Sequence, residues 1–256
     1  MLQGKVILIT GSSSGIGLAI ARAARAEGAT VVLHGIETEA LARAASELGA
    51  ASVVADLAAP DTAATVIAAT VEAHGRIDGL VNNAAALTRN TLDQADAATF
   101  DAIFAVNARA PLLLCREAAR AFRAQGTGGA IVNIGSVNAL CGQDNLLAYS
   151  MSKAALMAMT RNLGDALSAE RIRVNQLNVG WTLTETERAI QRREGRPDDW
   201  DRHVPPAFAP TGRILLPEEV AQHAVFWLSD RSAPVTGQVY EVEQYPLVGR
   251  NKINTR

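Results

Sequence analysis

The stretch Lys5–Gly17, "KVILITGSSSGIG", joins an apolar, β-branched run to a turn of glycine and serine and then to the start of an Ala-rich helical pattern. Its apolar residues are consecutive rather than alternating, which marks a strand covered on both faces, as in a parallel sheet packed between helices. Glycines at 11, 15 and 17 allow a tight turn and let the free amides of the next helix come close to a ligand, a pyrophosphate above all. A glycine-rich turn is weak testimony by itself. Placed between a first strand and a first helix, it points to a dinucleotide-binding α/β unit.

The rest of the chain repeats that first unit. "TVVLHG", "ASVVAD", "IDGLVNNA", "GGAIVNIGS", "IRVNQLNV" and "GQVYEVE" are further strand candidates, seven in all with the first. Helical patterns at roughly 15–28, 38–49, 60–74, 99–125, 149–169 and 217–230 separate them. Strict β/α alternation predicts an α/β single-domain, Rossmann-type, doubly wound parallel sheet of about seven strands with helices on both faces. One segment breaks the spacing. Residues 180–216, rich in Arg, Asp, Glu and Pro, are too long for an ordinary connection and read as a lid.

Composition narrows the function classes. The 256 residues are 48% hydrophobic and 20% charged, enough for a large core. A net charge of −2 and a pI near 6.1 give no electrostatic reason to expect nucleic acid or an anionic membrane as partner. Cys115 and Cys141 lie in apolar surroundings without metal-ligand spacing, so both read as buried free thiols and no metal site is expected. "MLQGKVILIT" reaches a turn too early for a signal peptide, and no apolar run approaches the ~20 residues that span a bilayer. A cytoplasmic protein is expected.

Two further stretches carry chemistry. In "AYSMSKAAL", Ala148–Leu156, Tyr149 and Lys153 stand four apart on a helical pattern and so share a face. A cation beside a phenol favours the phenolate and would draw its pKa, about 10 in the free side chain, toward neutrality. Such a pair is most often a solvated helix face. Ser136, thirteen residues earlier at the carboxyl end of the fifth strand, changes the balance, because doubly wound folds bind ligands at that edge. "NNAA", Asn82–Ala85, offers small residues beside which a ligand can lie. Asp56 after the third strand either accepts from an adenine amino group or caps a turn with Leu57 packing beneath.

Together these residues resemble a classical short-chain dehydrogenase/reductase over nearly the full length. The family's T-G-x-x-x-G-x-G turn falls on Thr10, Gly11, Gly15 and Gly17, its N-N-A-G on Asn82, Asn83 and Ala84 with Ala85 in place of the glycine, and its Asn, Ser, Tyr, Lys tetrad on Asn107, Ser136, Tyr149 and Lys153. The resemblance implies that Tyr149 exchanges a proton with the substrate oxygen while Ser136 hydrogen-bonds it. Lys153 favours the phenolate and binds the nicotinamide ribose, and Asn107 holds a water linking Lys153 to solvent. It also implies cofactor contacts at Gly11, Ser13, Ser14, Gly15, Ile16, Gly17, Gly35, Ile36, Asp56, Leu57, Asn83, Ala84, Ala85, Gly180, Thr182 and Thr184, besides Tyr149 and Lys153. Departures occur at Val179, where the family has proline, and in "EVEQYPLVGRN", where it has Asp-Gly-Gly.

Substrate and cofactor choice are read from the same frame. Ser136, Asn138, Gln143, Asn145, Tyr149 and Trp181 would line the substrate pocket, with Asp144, Glu185, Arg188, Arg192 and Arg193 close by. Amides suit hydroxyls, and aromatic residues make up only 4% of the chain, so a sugar, polyol or sugar-derived hydroxy acid is expected rather than a steroid. A 3-oxoacyl thioester reductase is the enzymatic alternative. A non-catalytic nucleotide sensor or scaffold is the other class, although such a protein would be expected to lose Tyr149 or Lys153. At the end of the second strand Gly35 occupies the acidic position of NAD-binding relatives, and Ile36 the arginine position of NADP-binding ones. With no cation for a 2′-phosphate, NAD is expected and NADP is the alternative, with Glu37 or His34 as ribose partner. The resemblance further implies a homo-oligomer, a tetramer through the helices near 99–125 and 149–169; the tail "YPLVGRNKINTR" extends past the last strand, where a subunit contact and disorder are equally open.

Overall fold

The computed structural model describes residues 1–247 of the chain. Seven parallel strands run β1 Val6–Ile9, β2 Thr30–Gly35, β3 Ala51–Val54, β4 Gly79–Asn82, β5 Gly129–Ser136, β6 Ile172–Val179 and β7 Val239–Val242. Their order is β3-β2-β1-β4-β5-β6-β7. The chain therefore reverses its winding between β1 and β4, and the two strands open a crevice at their carboxyl ends. Helices α1 Gly15–Ala26, α2 Thr38–Leu48, α3 Thr62–His74, α4 Ala97–Phe104, α5 Ala110–Gln125, α6 Leu147–Ala166, α7 Glu185–Arg193 and α8 Pro217–Leu228 complete the alternation.

Consecutive apolar residues in the central strands are explained by what covers them. Ile7, Ile9, Val132 and Leu177 pack under α1 and α8 with Ile20 and Val225, while Leu8, Leu80, Ile131 and Val174 pack under α3 and α5 with Ile67, Leu114 and Phe122. Every one of these side chains is at most 5% exposed, so each contributes about 1.5–3 kcal/mol of burial free energy. The edge strands β3 and β7 are the less buried ones, and β3 alternates because one of its faces lies open.

Three expectations are corrected by the fold. The helix expected at 99–125 starts at Ala97 and is interrupted by a π turn, Ala105–Arg109, that contains Asn107; such bulges gather at functional sites. Among the described residues Ala97–Gln125 is also long and apolar enough to cross a membrane, against the expectation that no run is, but it buries Ile103, Leu114, Ala118 and Phe122 in the fold. Cys115 is buried as expected, whereas Cys141 is exposed, because its loop rises from the sheet edge after Ser136. The 180–216 segment holds α7 and a short 3-10 turn, Trp200–Arg202, on a small cluster of Trp200, Ala209 and Ile214 with Trp181 beside it. The expected tail contact falls from Val248 onward outside the described residues.

Candidate active site

The crevice between β1 and β4 is tied together by residues that are distant in sequence. Thr10 Oγ1 donates to the Val81 carbonyl (3.2 Å) and accepts from the amides of Asn83 (3.0 Å) and Ala84 (3.1 Å). Asn83 Nδ2 donates to the carbonyls of Thr10 and Gly11, both at 2.9 Å. Each bond contributes about 1 kcal/mol net, and together they hold the glycine turn open. Gly11 has φ +61°, and a Cβ there would lie 2.8 Å from Ala84 Cα; a methyl on Gly17 would collide with the Gly11 carbonyl oxygen. No other residue type fits this cradle.

The cradle suits a pyrophosphate. Ser14 stands at the N-cap of α1 without a side-chain cap bond, and the first turn holds no acidic residue, so the positive end of the helix is uncompensated. Ser13 is partly exposed beside it, and Ile16 anchors the turn by packing into the core. Thr184 Cγ2 lies 3.5 Å from the position of a Gly15 Cβ, which brings the 180–216 segment down over the turn. These features fit a dinucleotide cofactor.

At the end of β2, Gly35 is buried against Ser13 and Ile36 is 63% exposed. Glu37, exposed at the start of α2, has no side-chain cap bond. His34 is not available to a ribose or a phosphate. Its ring accepts from the Gly11 amide through Nδ1 (3.4 Å) and faces the Ala55 carbonyl through Nε2 (3.1 Å), and burial lowers its pKa, so it stays neutral as a clamp on the turn. Asp56 Oδ1 caps the Ala58 amide at 2.8 Å, and Leu57 packs beneath in the core. Ala84 and Ala85 line the open side of β4, Ala85 exposed.

Ser136, Tyr149 and Lys153 converge at the carboxyl end of β5. The Ser136 and Tyr149 hydroxyls share a hydrogen bond, and Lys153 Nζ sits 5.6 Å from the Tyr149 ring centroid while donating to the Ile134 carbonyl (2.8 Å). The lysine is 3% exposed, and burial pulls its pKa down to about 8. The phenol moves opposite to expectation: burial pushes its pKa up to about 12, against the Ser136 hydrogen bond that lowers it and with the Glu187 charge that raises it. Burial is the largest effect on the phenol, so proximity to Lys153 does not bring it toward neutrality. Asn107 is 1% exposed, and its carboxamide is committed, accepting from the Ala86 amide (2.7 Å) and donating to the Ala86 carbonyl (2.9 Å) and Ser152 Oγ (3.0 Å). That carboxamide pins the β4–α4 loop to α6.

The mouth of the site is assembled from three segments. Asn138 follows Ser136, whose Oγ accepts from its amide at 3.2 Å, and Gln143 donates to Asn145 at 3.0 Å along the rim, where Gln143 and Asp144 are exposed. Trp181 stacks on Trp200 (5.2 Å between centroids) and donates through Nε1 to Glu187 Oε1 at 2.9 Å. Gly180 packs under Glu243, and Thr182 Oγ1 donates to the Gly180 carbonyl at 3.0 Å. The arginines expected to face the pocket turn elsewhere: Arg188 pairs with Asp201 (3.3 Å) and Arg192 with Asp198 (3.4 Å), while Arg193 and Glu185 are exposed.

Two residues were missed from the sequence, Arg89 and Glu187. Arg89 reaches across from the β4–α4 loop to Glu187 on α7 (3.8 Å) and to Glu194 just past its end (2.9 Å). The pattern Thr184-x-x-Glu187 disguises the second, since it reads as a helix capping box. Thr184 Oγ1 does accept from the Glu187 amide (3.0 Å), but the carboxylate turns to Trp181 instead of back to the cap.

Comparison with known proteins matches residues 11–244 to a family model described as enoyl-(acyl carrier protein) reductase. The chain is 37% identical to 2-(S)-hydroxypropyl-CoM dehydrogenase 3 of Xanthobacter autotrophicus, over 94% of this chain and 96% of that protein. It is 36% identical to the L-tagatose-forming galactitol 2-dehydrogenase of Cereibacter sphaeroides, over 94% of each. Among solved structures, L-sorbose reductase from Gluconobacter frateurii, complexed with NADPH and L-sorbose, superposes with a TM-score of 0.90 at 32% identity, covering 97% of this chain and 98% of that one.

Proposed function

Since this chain belongs to the short-chain dehydrogenase/reductase family and is an oxidoreductase of small polar alcohols and carbonyls, we propose that its substrate is a sugar, polyol or sugar-derived hydroxy acid. The observation that carries the reading is the hydrogen-bonded pair of Ser136 and Tyr149 beside Lys153, at the mouth of a turn that fits a dinucleotide. The polyol and ketose relatives support the substrate class. A bound nicotinamide supplies or accepts the hydride.

The chain's own residues handle the proton. In reduction, Tyr149 gives its hydroxyl proton to the substrate oxygen, and Ser136 donates a hydrogen bond to that oxygen as negative charge develops on it. A phenol held protonated by burial is ready for that step at neutral pH, and oxidation in the reverse direction needs it ionised. Lys153 uses one of its three donors on Ile134, leaving two for the nicotinamide ribose. Gly180, Thr182 and Thr184 face the carboxamide and phosphate side, and residues 180–216 act as the lid that excludes water.

NAD is the proposed cofactor, because Ile36 and Ser14 place no cation where a 2′-phosphate would lie. The NADPH held by the L-sorbose reductase makes NADP the reading to test against. The protein is proposed to work in the cytoplasm as a homotetramer, with Leu112 (48% exposed) on α5 and Met151 (47%) on α6 offering apolar contact; light scattering at micromolar concentration reads the mass. The deciding experiment is a panel of polyols, ketoses and acetoacetyl thioesters with each cofactor. Turnover of the thioester alone would replace this reading with a 3-oxoacyl thioester reductase.

A further inference from the structure

The lid places one carboxylate over the site, and its surroundings say which substrates it admits. Glu187 is 12% exposed and fixed through Oε1, which accepts from Trp181 Nε1 (2.9 Å) and Gln191 Nε2 (2.6 Å). Oε2 takes part in neither bond. Trp181 leaves the sheet two residues after Val179, which pairs in register with Ser136, so the Glu187 anchor rises directly from the strand end beside the reacting hydroxyls. The Glu187 charge is felt at the Tyr149 hydroxyl, whose proton it holds on more tightly.

Among the described residues the arginine that reaches this carboxylate is already engaged. Arg89 is already paired with Glu194 and Glu187, and Arg196 lies over the Trp181 ring at 5.9 Å. In the loop after Ser136 the Cys141 thiol has its pKa raised by burial first and then by the charges of Glu241 and Glu243. A second negative charge brought beside the largely buried Glu187 would be repelled by it, a larger cost than meeting a hydroxyl that can donate to Oε2.

Resting on the reading of a sugar or polyol enzyme above, we propose that Glu187 is its specificity-determining residue: Oε2 accepts a hydrogen bond from a hydroxyl near the reacting carbon and so selects a neutral polyhydroxy substrate over a carboxylate-bearing one of the same chain. The established contacts do not require this choice, since Glu187 could hold Trp181 through Oε1 alone. Glu187→Gln keeps an acceptor for Trp181 and Gln191 and removes the charge.

The test compares kcat/KM for a polyol and for the aldonic acid of the same carbon skeleton, in the wild type, Glu187→Gln and Glu187→Asp. The wild type favours the polyol by ~10-fold or more; Glu187→Gln shrinks that ratio at least ~10-fold, and Glu187→Asp, which keeps the charge, restores part of it. The ascending limb of polyol oxidation also moves to lower pH in Glu187→Gln but not in Glu187→Asp, which keeps the charge, and circular dichroism checks that each variant is folded. A polyol-to-acid ratio that is the same in wild type and Glu187→Gln overturns the inference and leaves the sugar reading standing. Turnover of neither compound, with another carbonyl reduced, overturns both.

Discussion

Replacing Lys153 by methionine should stabilise the fold while destroying turnover, with a pH signature of fixed sign. Burial lowers the lysine pKa from 10.5 to about 8. At about 1.36 kcal/mol per pH unit this is a penalty of about 3 kcal/mol on the charged form. Between about pH 8 and 10.5 the unfolded chain keeps the proton that the folded protein has lost, so wild-type stability rises with pH there, and the full penalty is present below about pH 8. Linkage over these two values gives a gain of about 2 kcal/mol between pH 7 and 9.5. Methionine fills the same channel without charge but loses the bond to Ile134, about 1 kcal/mol, so the variant should be more stable by about 2 kcal/mol at pH 7. Denaturant titrations of both proteins, wild type minus variant, isolate the effect. Cys115, with its thiol pushed up to about 12, lowers stability as pH climbs past 9, but it is common to both and cancels. Two stability curves that stay parallel from pH 7 to 9.5 would refute a desolvated Lys153.

Tyr149→Phe should reduce turnover by at least ~1,000-fold while changing nucleotide affinity little, because only the exchangeable proton is removed; near-normal turnover would end the assignment. Ser136→Ala should move the ascending limb of the oxidation profile to higher pH, since the serine hydrogen bond lowers the Tyr149 pKa; a limb that stays in place would show the bond to be absent during catalysis. Ile36→Arg should raise NADP affinity ~10-fold or more, measured by cofactor titration, if the exposed end of β2 faces the ribose. Gly17→Ala should abolish cofactor binding and lower thermal stability, because the methyl meets the Gly11 carbonyl oxygen; ordinary binding in this variant would mean that the turn can open.

How much of the site could be read in advance depended on the range of the signal. The Tyr149 and Lys153 pair is a matter of four residues on one helix, and the strand–turn–helix around Gly11 and Gly17 spans a dozen, so local spacing sufficed. His34 was misjudged because its partners, Gly11 and Ala55, come from two other strand ends. Glu187 was passed over because its helix-start pattern has an ordinary local explanation, and only the position of Trp181 shows that the carboxylate is used elsewhere.

The sequence by itself determined the parallel sheet, the glycine cradle and the set of residues that meet at the end of β5, since apolar periodicity and turn chemistry are written in neighbouring residues. Only the tertiary structure decided their electrostatics. Whether a phenol titrates near 7 or near 12 depends on how completely water is excluded by segments distant in the chain, and here desolvation outweighed a lysine four residues away. The same holds for residues 180–216: their arginines looked free in the sequence, and folding paired Arg188 and Arg192 with aspartates of their own segment, while the Glu187 charge acts on Tyr149.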